Sequence, residues 1–416
     1  MSNETVVTKR VFSGQNLFLL MSLALGHTLM HCFQQGWYIV LPSVKETFGL
    51  SDVQYGGIES IRSASSTAVQ IPSGAVSDML RKQWLIIVVS ALFGVGLAYM
   101  VLGLAQNYGT VLFAAILIGF SIALYHPPAL SVLSARLPER RGLTLSIHGM
   151  GGNLGNAVGP AMMGLIIGAV AWQRASWIMA IPMMSFAIFL WRLLSNVPGR
   201  EGEGVTGKQY FSTFLGLLKN RIILGLIISG GIRTMSTVSV FAFFSLYCRE
   251  DLGFGPVKAG FYFTTMMASG IASQPLLGYL SDRFGRKIVL IPSLVLMGLF
   301  EIILVWSGSG IGLVLVALCI GLFIYALGAV MQAAVMDVAP EEAGATIISI
   351  LFGCSALFTI PSPTIAGWLS DTYGTPSVFL YSGGLVLLSA LLLIFLPIDQ
   401  KKTARDTKGT NTAIVK

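Results

Sequence analysis

Charge is what this chain is short of. Asp, Glu, Lys and Arg make up 11% of its 416 residues, where a soluble domain carries roughly 25%. With 54% of the residues hydrophobic, water is excluded as the solvent for most of the surface. Cysteine is scarce as well. Cys32, Cys248, Cys319 and Cys354 lie in or at the ends of apolar runs and form no Cys-x-x-Cys pair, so neither a disulfide framework nor a zinc site is indicated. No nucleotide loop, metal constellation or soluble catalytic domain appears, which argues against an enzyme and predicts no metal and no cofactor. The first apolar run is too long for a signal-peptide core and lacks a small-residue cleavage site, so it is expected to remain as a span.

What the chain has instead is apolar length. A membrane-crossing helix needs about 20 predominantly apolar residues. Twelve runs qualify, at 17–41, 55–77, 83–105, 110–134, 144–169, 174–195, 222–247, 257–280, 288–308, 311–336, 345–369 and 376–397. The net charge of +8 points to a bilayer rather than to nucleic acid, because it is unevenly spread. Lys45, Arg174, Arg249 and Lys258 fall on one side of the alternating topology, Arg62 and Arg233 lie inside spans, and the remaining basic residues fall on the other side. Cytoplasmic loops hold the excess Lys and Arg. Both termini are therefore predicted to be cytoplasmic, in a multi-pass protein of the inner membrane.

The two halves repeat. Gly74-Ala-Val-Ser-Asp78 ends one apolar run, and Gly278-Tyr-Leu-Ser-Asp282 ends another about two hundred residues later. At a near-constant offset, Lys45-Glu46 with Gly49 matches Arg249-Glu250 with Gly253, Pro138-Glu139 matches Pro340-Glu341, and Gly159-Pro160 matches Ser362-Pro363. The longest polar stretch contains Pro198-Gly199-Arg200-Glu201-Gly202-Glu203-Gly204, a flexible linker composition. The expected organisation is an N-terminal six-helix bundle at 1–195, a cytoplasmic linker at 196–220, a C-terminal six-helix bundle at 221–398 and a cytoplasmic tail at 399–416.

Two six-helix halves with a charged loop after the second span of each resemble the major facilitator superfamily. Gly278, Asp282, Arg283, Gly285, Arg286 and Lys287 follow the pattern Gly-x-x-x-Asp-Arg-x-Gly-Arg-Lys. Gly74, Asp78 and Arg81 form a weaker copy, with Met79 where Arg is usual and Arg81 where Gly is usual. The resemblance implies an all-α membrane protein of twelve transmembrane helices in two pseudo-symmetric six-helix bundles. It further implies a solute site near the midplane between the halves, and alternating access by rocking. The loops would be conformational latches, with Asp78 and Asp282 capping a neighbouring helix or pairing with loop arginines. The alternative is a charge cluster that only fixes orientation. In the fifth span, Gly155, Gly159, Pro160 and Gly164 are similar to the motif that antiporters of this superfamily carry, and close helix packing would explain them equally. Gly26-His27, His126-Pro127 and the stretch from His148 to Pro160 are similar to fosmidomycin-resistance-type transporters, which implies proton-driven export of small, often anionic compounds.

Ionisable residues inside spans are costly, at least about 2.5–3.5 kcal/mol at the centre of the bilayer, and are functional candidates by default. All four histidines lie in spans of the first half. His27, His31 and Gln34 share one face of the first span, and Glu59, Arg62, Ser66 and Gln70 share one face of the second. His126 begins His126-Pro127-Pro128, which predicts a break in the fourth span. His27, His31, Glu59 and His148 are the candidates for carrying a coupling proton, since imidazoles titrate near neutrality. Glu59 and Arg62 could instead neutralise each other on their own helix. Arg233 has no carboxylate within a turn of it and offers a fork of donors suited to an anion; a carboxylate from another span is the competing partner. Arg233, Arg62, His126, Gln34, Tyr325 and Asn153 form the candidate substrate-binding set. The function expected is secondary active transport of a small anionic organic solute, coupled to protons and carried out by a monomer, with export by antiport favoured. Proton-coupled uptake of an organic anion such as a monocarboxylate is the first alternative. A non-transporting sensor with the same fold is the second.

Overall fold

The computed structural model describes residues 14–199, 212, 215–216, 219–338 and 353–398, with the backbone course alone at 71, 74, 75, 77–79 and 81. Among the described residues the secondary structure is helical throughout. The α-helices are α1 Gly14–Phe48, α2 Asp52–Met79, α3 Trp84–Gly103, α4 Tyr108–Arg136, α5 Arg141–Ala169, α6 Trp172–Leu194, α7 Arg221–Glu250, α8 Pro256–Phe284, α9 Arg286–Ile303, α10 Ile311–Val338, α11 Ser362–Tyr373 and α12 Pro376–Phe395. Helices are what apolar runs of this length must form in lipid, because each backbone donor then finds its acceptor within the segment. Starts are marked where side chains can supply acceptors. Asn107 accepts from the Thr110 N–H ahead of α4, and Asn220 accepts from Ile222 and Ile223 ahead of α7. The eleventh predicted run, 345–369, lies partly outside the described residues.

Eight of these helices are long and apolar enough to cross a membrane. Among the fully described helices, α2, α5 and α8 fall short, while α11 is the described part of the run at 345–369. α2 and α8 are rich in Ser and Gly, and α5 in Gly. A helix that faces protein on several sides does not need an apolar circumference, and small residues bring its neighbours close.

The chain forms two compact units. The first comprises Met1–Leu50, Ile61–Gly207 and Phe254–Thr264; the second comprises Ser51–Ser60, Lys208–Gly253 and Thr265–Lys416. This differs from a single cut at the linker, because the first residues of α2 belong to the second unit and the first residues of α8 to the first. In the first unit α3 packs on α4 and α6. In the second, α9 packs on α10 and α12, the equivalent pairs of the repeat.

The tightest packing in the first unit is between α1 and α5. A Cβ at position 155 would lie 2.1 Å from the Thr28 carbonyl oxygen, and one at 159 would lie 2.5 Å from that of Cys32. Side chains larger than hydrogen on this face would push α1 away. Farther along α5, a Cβ on Gly164 would meet the Pro256 carbonyl oxygen at 2.6 Å, and one on Gly260 would meet that of Pro160 at 2.5 Å. Pro160 interrupts the hydrogen-bond ladder here, and α8 repairs it. The Thr264 hydroxyl donates to the Ala157 carbonyl (2.7 Å) and accepts from the Ala161 N–H (3.0 Å). These two backbone groups would bond each other in an unbroken helix.

Tyrosines add cross-ties to α1. Tyr99 of α3 donates to the Phe33 carbonyl and Tyr125 of α4 to the Leu23 carbonyl, each at 2.6 Å. The break expected at Pro127 is absent: α4 runs through Pro127 and Pro128 as one helix. Membrane helices tolerate internal proline where neighbouring groups satisfy the freed carbonyls.

Two substitutions test this packing. Thr264→Val keeps the shape but removes the partner of a part-buried carbonyl and a part-buried N–H, at a cost of up to about 1–3 kcal/mol in total, and should lower the thermal unfolding midpoint in detergent. Gly155→Val should reduce the yield of monodisperse protein, whereas Gly142→Ala, with open space at its Cβ, should leave it unchanged.

Candidate functional site

The first unit gathers all four histidines of the chain. His27 and His31 stand one turn apart on α1, His126 comes from α4 and His148 from α5. The His27 ring centroid lies 4.6 Å from that of His31, 5.0 Å from His126 and 4.2 Å from His148, with which it stacks nearly parallel. The centroids of His31 and His126 are 5.7 Å apart. Gly152 makes room for this stack, since a Cβ there would sit 2.6 Å from the His27 ring. Tyr125 lies parallel to His27 on another side, at 5.8 Å.

Hydrogen bonds settle two tautomers. His27 Nδ1 lies 2.8 Å from the His148 carbonyl oxygen. A carbonyl only accepts, so Nδ1 carries the proton and Nε2 the lone pair. His31 Nδ1 lies 2.8 Å from Asn156 Oδ1, which also accepts from Gln35 Nε2 at 3.1 Å. With the Asn156 amide in this orientation, His31 donates through Nδ1 and keeps its lone pair on Nε2. Buried nitrogens are left over: His27 Nε2 and both ring nitrogens of His148 have no hydrogen-bond partner among the described residues.

The polar network differs in detail from the candidate set. Asn156 is the α5 amide that reaches the histidines, while Asn153, half-buried, precedes it by three residues. Gln35 engages Asn156, and the neighbouring Gln34 keeps a buried Oε1 without a partner among the described residues. An amide at position 156 of an apolar helix, in register with the glycines at 152 and 159, was the available signal for this contact. Elsewhere in the first unit, Arg62 of α2 donates from Nη2 to the Tyr38 hydroxyl at 2.8 Å and lies 5.5 Å from the centre of that ring. Glu59, fully buried, precedes Arg62 by about one turn of the same helix.

Arg233 stands in the middle of α7 in the second unit. Its Nη atoms reach only neutral oxygens at long range: Thr237 Oγ1 at 3.5 Å, the Ile324 carbonyl at 3.4 Å and Thr234 Oγ1 at 3.4 Å. Its Nε is buried with no partner, and among the described residues no carboxylate comes within ion-pair distance. Glu301 of α9, fully buried, accepts from Ser236 at 2.7 Å and acts electrostatically on Arg233 without reaching ion-pair distance. Tyr325 of α10 directs its hydroxyl to the Met267 sulfur at 3.0 Å.

The loop between α8 and α9 is held by charge. Arg286 pairs with Asp282 and, at 2.9 Å, with Asp337 at the end of α10, and it also donates to Ser281 at 2.6 Å. Lys287 donates to the Ile394 and Leu396 carbonyls at 2.7 and 2.9 Å, which ties the loop to the end of α12. Arg283 lies over the Phe284 ring at 5.3 Å. Gly278 closes the last turns of α8, and Gly285, at φ +101°, separates α8 from α9. The surroundings of Gly74, Asp78 and Arg81, the weaker copy, lie outside the described residues.

Sequence reasoning missed a third copy. Gly367-Trp-Leu-Ser-Asp371 with Gly374 has the spacing of Gly278-Tyr-Leu-Ser-Asp282 with Gly285. Both stop a helix in the same way: the N–H of Gly285 bonds the Ser281 carbonyl, and that of Gly374, at φ +85°, bonds the Ser370 carbonyl. By the alternation of spans, these two loops lie on opposite membrane faces. Asp371 accepts from the backbone N–H groups of Asp52 and Val53, at 2.8 and 2.9 Å, and so caps the start of α2. An anionic group at a helix N-terminus meets unsatisfied donors and the positive end of the dipole. Ser370 donates to the Asp52 carboxylate, and a Cβ on Gly367 would lie 2.2 Å from the Asp52 carbonyl oxygen.

Comparison with known proteins agrees with this arrangement. The family model described as Major Facilitator Superfamily matches residues 23–273 and 226–416. The fosmidomycin resistance protein of Escherichia coli K12 is 24% identical over 395 residues, covering 92% of this chain and 94% of that protein. The multidrug resistance protein MdtG of Klebsiella pneumoniae strain 342 is 26% identical over 328 residues, covering 76% and 77%. Among solved structures, a bacterial homologue of the human lysosomal transporter Spinster, inward-facing and occupied, superposes with a TM-score of 0.76 at 15% identity over 92% of this chain and 97% of that one. The nucleoside transporter NupG does so with a TM-score of 0.76 at 13% identity, over 90% and 99%. The chain belongs to the major facilitator superfamily and is a membrane transporter, not an enzyme.

Proposed function

We propose that this transporter moves a small anionic organic solute across the inner membrane by proton-coupled alternating access, as a monomer with both termini cytoplasmic. Arg233 carries the reading. A guanidinium keeps its charge under all conditions, and a cation taken out of water costs several kcal/mol unless an anion meets it. The neutral oxygens around Arg233 do not neutralise it. A solute carboxylate, phosphate or sulfonate would supply the bidentate partner that the fork accepts best.

Export by antiport is favoured over uptake. Its support is that relatives over most of the chain are named for resistance to fosmidomycin and to multiple drugs, and removal from the cell is the direct way for a transporter to confer resistance. The buried imidazoles of the first unit support proton coupling, because their lone pairs sit in the membrane with few competing acceptors. The Arg286 cluster and the Asp371 cap are the candidate latches of the cycle.

Purified protein reconstituted in liposomes tests the reading. Arg233→Gln should weaken thermal stabilisation by a panel of carboxylates and phosphonates while leaving expression intact. Losing one charged hydrogen-bonding partner costs about 1.5–3 kcal/mol, so affinity should fall roughly 10- to 150-fold; unchanged binding would remove the anion site. His27→Gln is expected to bind solute while its flux no longer responds to an imposed pH gradient, and a normal response would assign the proton elsewhere. Asp337→Asn should slow flux more than Asp282→Asn, because the Asp282 carboxylate is 66% exposed and that of Asp337 22%, and exposed pairs contribute only about 0–1 kcal/mol.

A further inference from the structure

We propose that His27, His31 and His126 form a binding site for a divalent transition-metal ion of the zinc class within the first unit. Each offers one nitrogen, and the three lie within 4.8 Å of one another. Zinc-nitrogen bonds are about 2.0–2.1 Å long, so the nitrogens of a tetrahedral ion lie roughly 3.4 Å apart. Side-chain adjustments that draw each ring inward by about 1 Å bring the three to that spacing.

The surroundings are arranged as they are around metal-bound imidazoles. A ligating histidine donates its other ring N–H to a carbonyl or amide oxygen, which fixes the tautomer and aims the lone pair at the ion. His27 does this through the His148 carbonyl and His31 through Asn156 Oδ1, so both present Nε2. Asn156 is itself oriented by Gln35. His126 makes no hydrogen bond among the described residues, so neither of its nitrogens is committed. His27 Nε2 is buried and unpartnered, a costly state unless something meets the lone pair. Rings that served only to fill space would pack as well if they were apolar.

The donor set selects the ion. The cluster contains nitrogens and no carboxylate. Imidazole suits zinc, copper and nickel, whereas magnesium and calcium take oxygen. Three protein ligands leave a fourth position for water or a solute group. The site draws on α1, α4 and α5 alone and does not depend on the anion reading of Arg233; zinc and a coupling proton compete for the His27 lone pair, so bound zinc should suppress pH-driven flux.

The experiment uses tag-free, full-length protein in detergent, stripped with chelator and then equilibrated with zinc or cobalt. Wild type should hold about one zinc per chain by elemental analysis, and its cobalt form should develop the visible absorption of a nitrogen-coordinated, low-symmetry ion. Asn156→Ala leaves the ligands in place and should weaken zinc binding about 10- to 100-fold, the usual cost of removing an outer-shell partner. His31→Gln and His126→Gln should each weaken it by at least as much while eluting as wild type on size exclusion. Failure of wild type to bind zinc stoichiometrically, or binding that survives replacement of all three histidines by glutamine, overturns the proposal. Anion-induced thermal shifts on the same preparations report on Arg233 separately, so either idea can fail alone.

Discussion

The approach of α1 to the glycine face of α5 is the contact on which the first unit depends. Gly152, Gly155 and Gly159 remove the Cβ atoms that would hold the two backbones apart, and the gap that closes is filled by the His27 ring and the α1 carbonyls. The histidine cluster with its Asn156 and Gln35 contacts is placed by this closeness. His148 can stack on His27, and Asn156 can reach across to both His31 and Gln35, only because the helix axes are this near. The same helix then opens at Pro160 and takes a hydroxyl from α8 into its ladder. One face of α5 thus does the packing, and the break in its ladder is sealed by a neighbouring helix.

A second constraint is the cost of polar groups in lipid. Neighbouring helices meet part of it, as in the Ser229–Ser389 hydrogen bonds, and the Ser236 hydroxyl meets one oxygen of Glu301. Several buried polar atoms are left over among the described residues, and two groups of them stand out. The histidine nitrogens of the first unit and the Arg233 guanidinium of the second retain unmet bonding capacity. The first is a surplus of lone pairs and the second a surplus of positive donors. They are suited to opposite ligands, a cation on one side and an anion on the other.

Much of the architecture was legible in the chain. Apolar runs of about twenty residues have one stable backbone state in a bilayer; seven of the twelve lie within described helices, and four more overlap one and overrun its ends by a few residues. The Gly-x-x-Ser-Asp stop was readable too, and its third occurrence at Gly367–Asp371 was there to be found, since it has the same spacing. Pro127 misled because proline breaks helices reliably in water and far less so where neighbours absorb the freed carbonyls. Asn156 was passed over in favour of Asn153 because a helical period identifies a face without saying which neighbour that face meets.

The order of helices, their twofold repetition and the residues whose chemistry is out of place in a membrane were determined by the sequence itself, because hydropathy and charge act over lengths that a linear reading can measure. Convergence was decided only by the tertiary structure. Nothing in the spacing of positions 27, 31, 126 and 148 indicates one cluster, and no ligand spacing announces a metal site. Those imidazoles meet because glycines on one helix let another come close, and that closeness arises between segments more than a hundred residues apart.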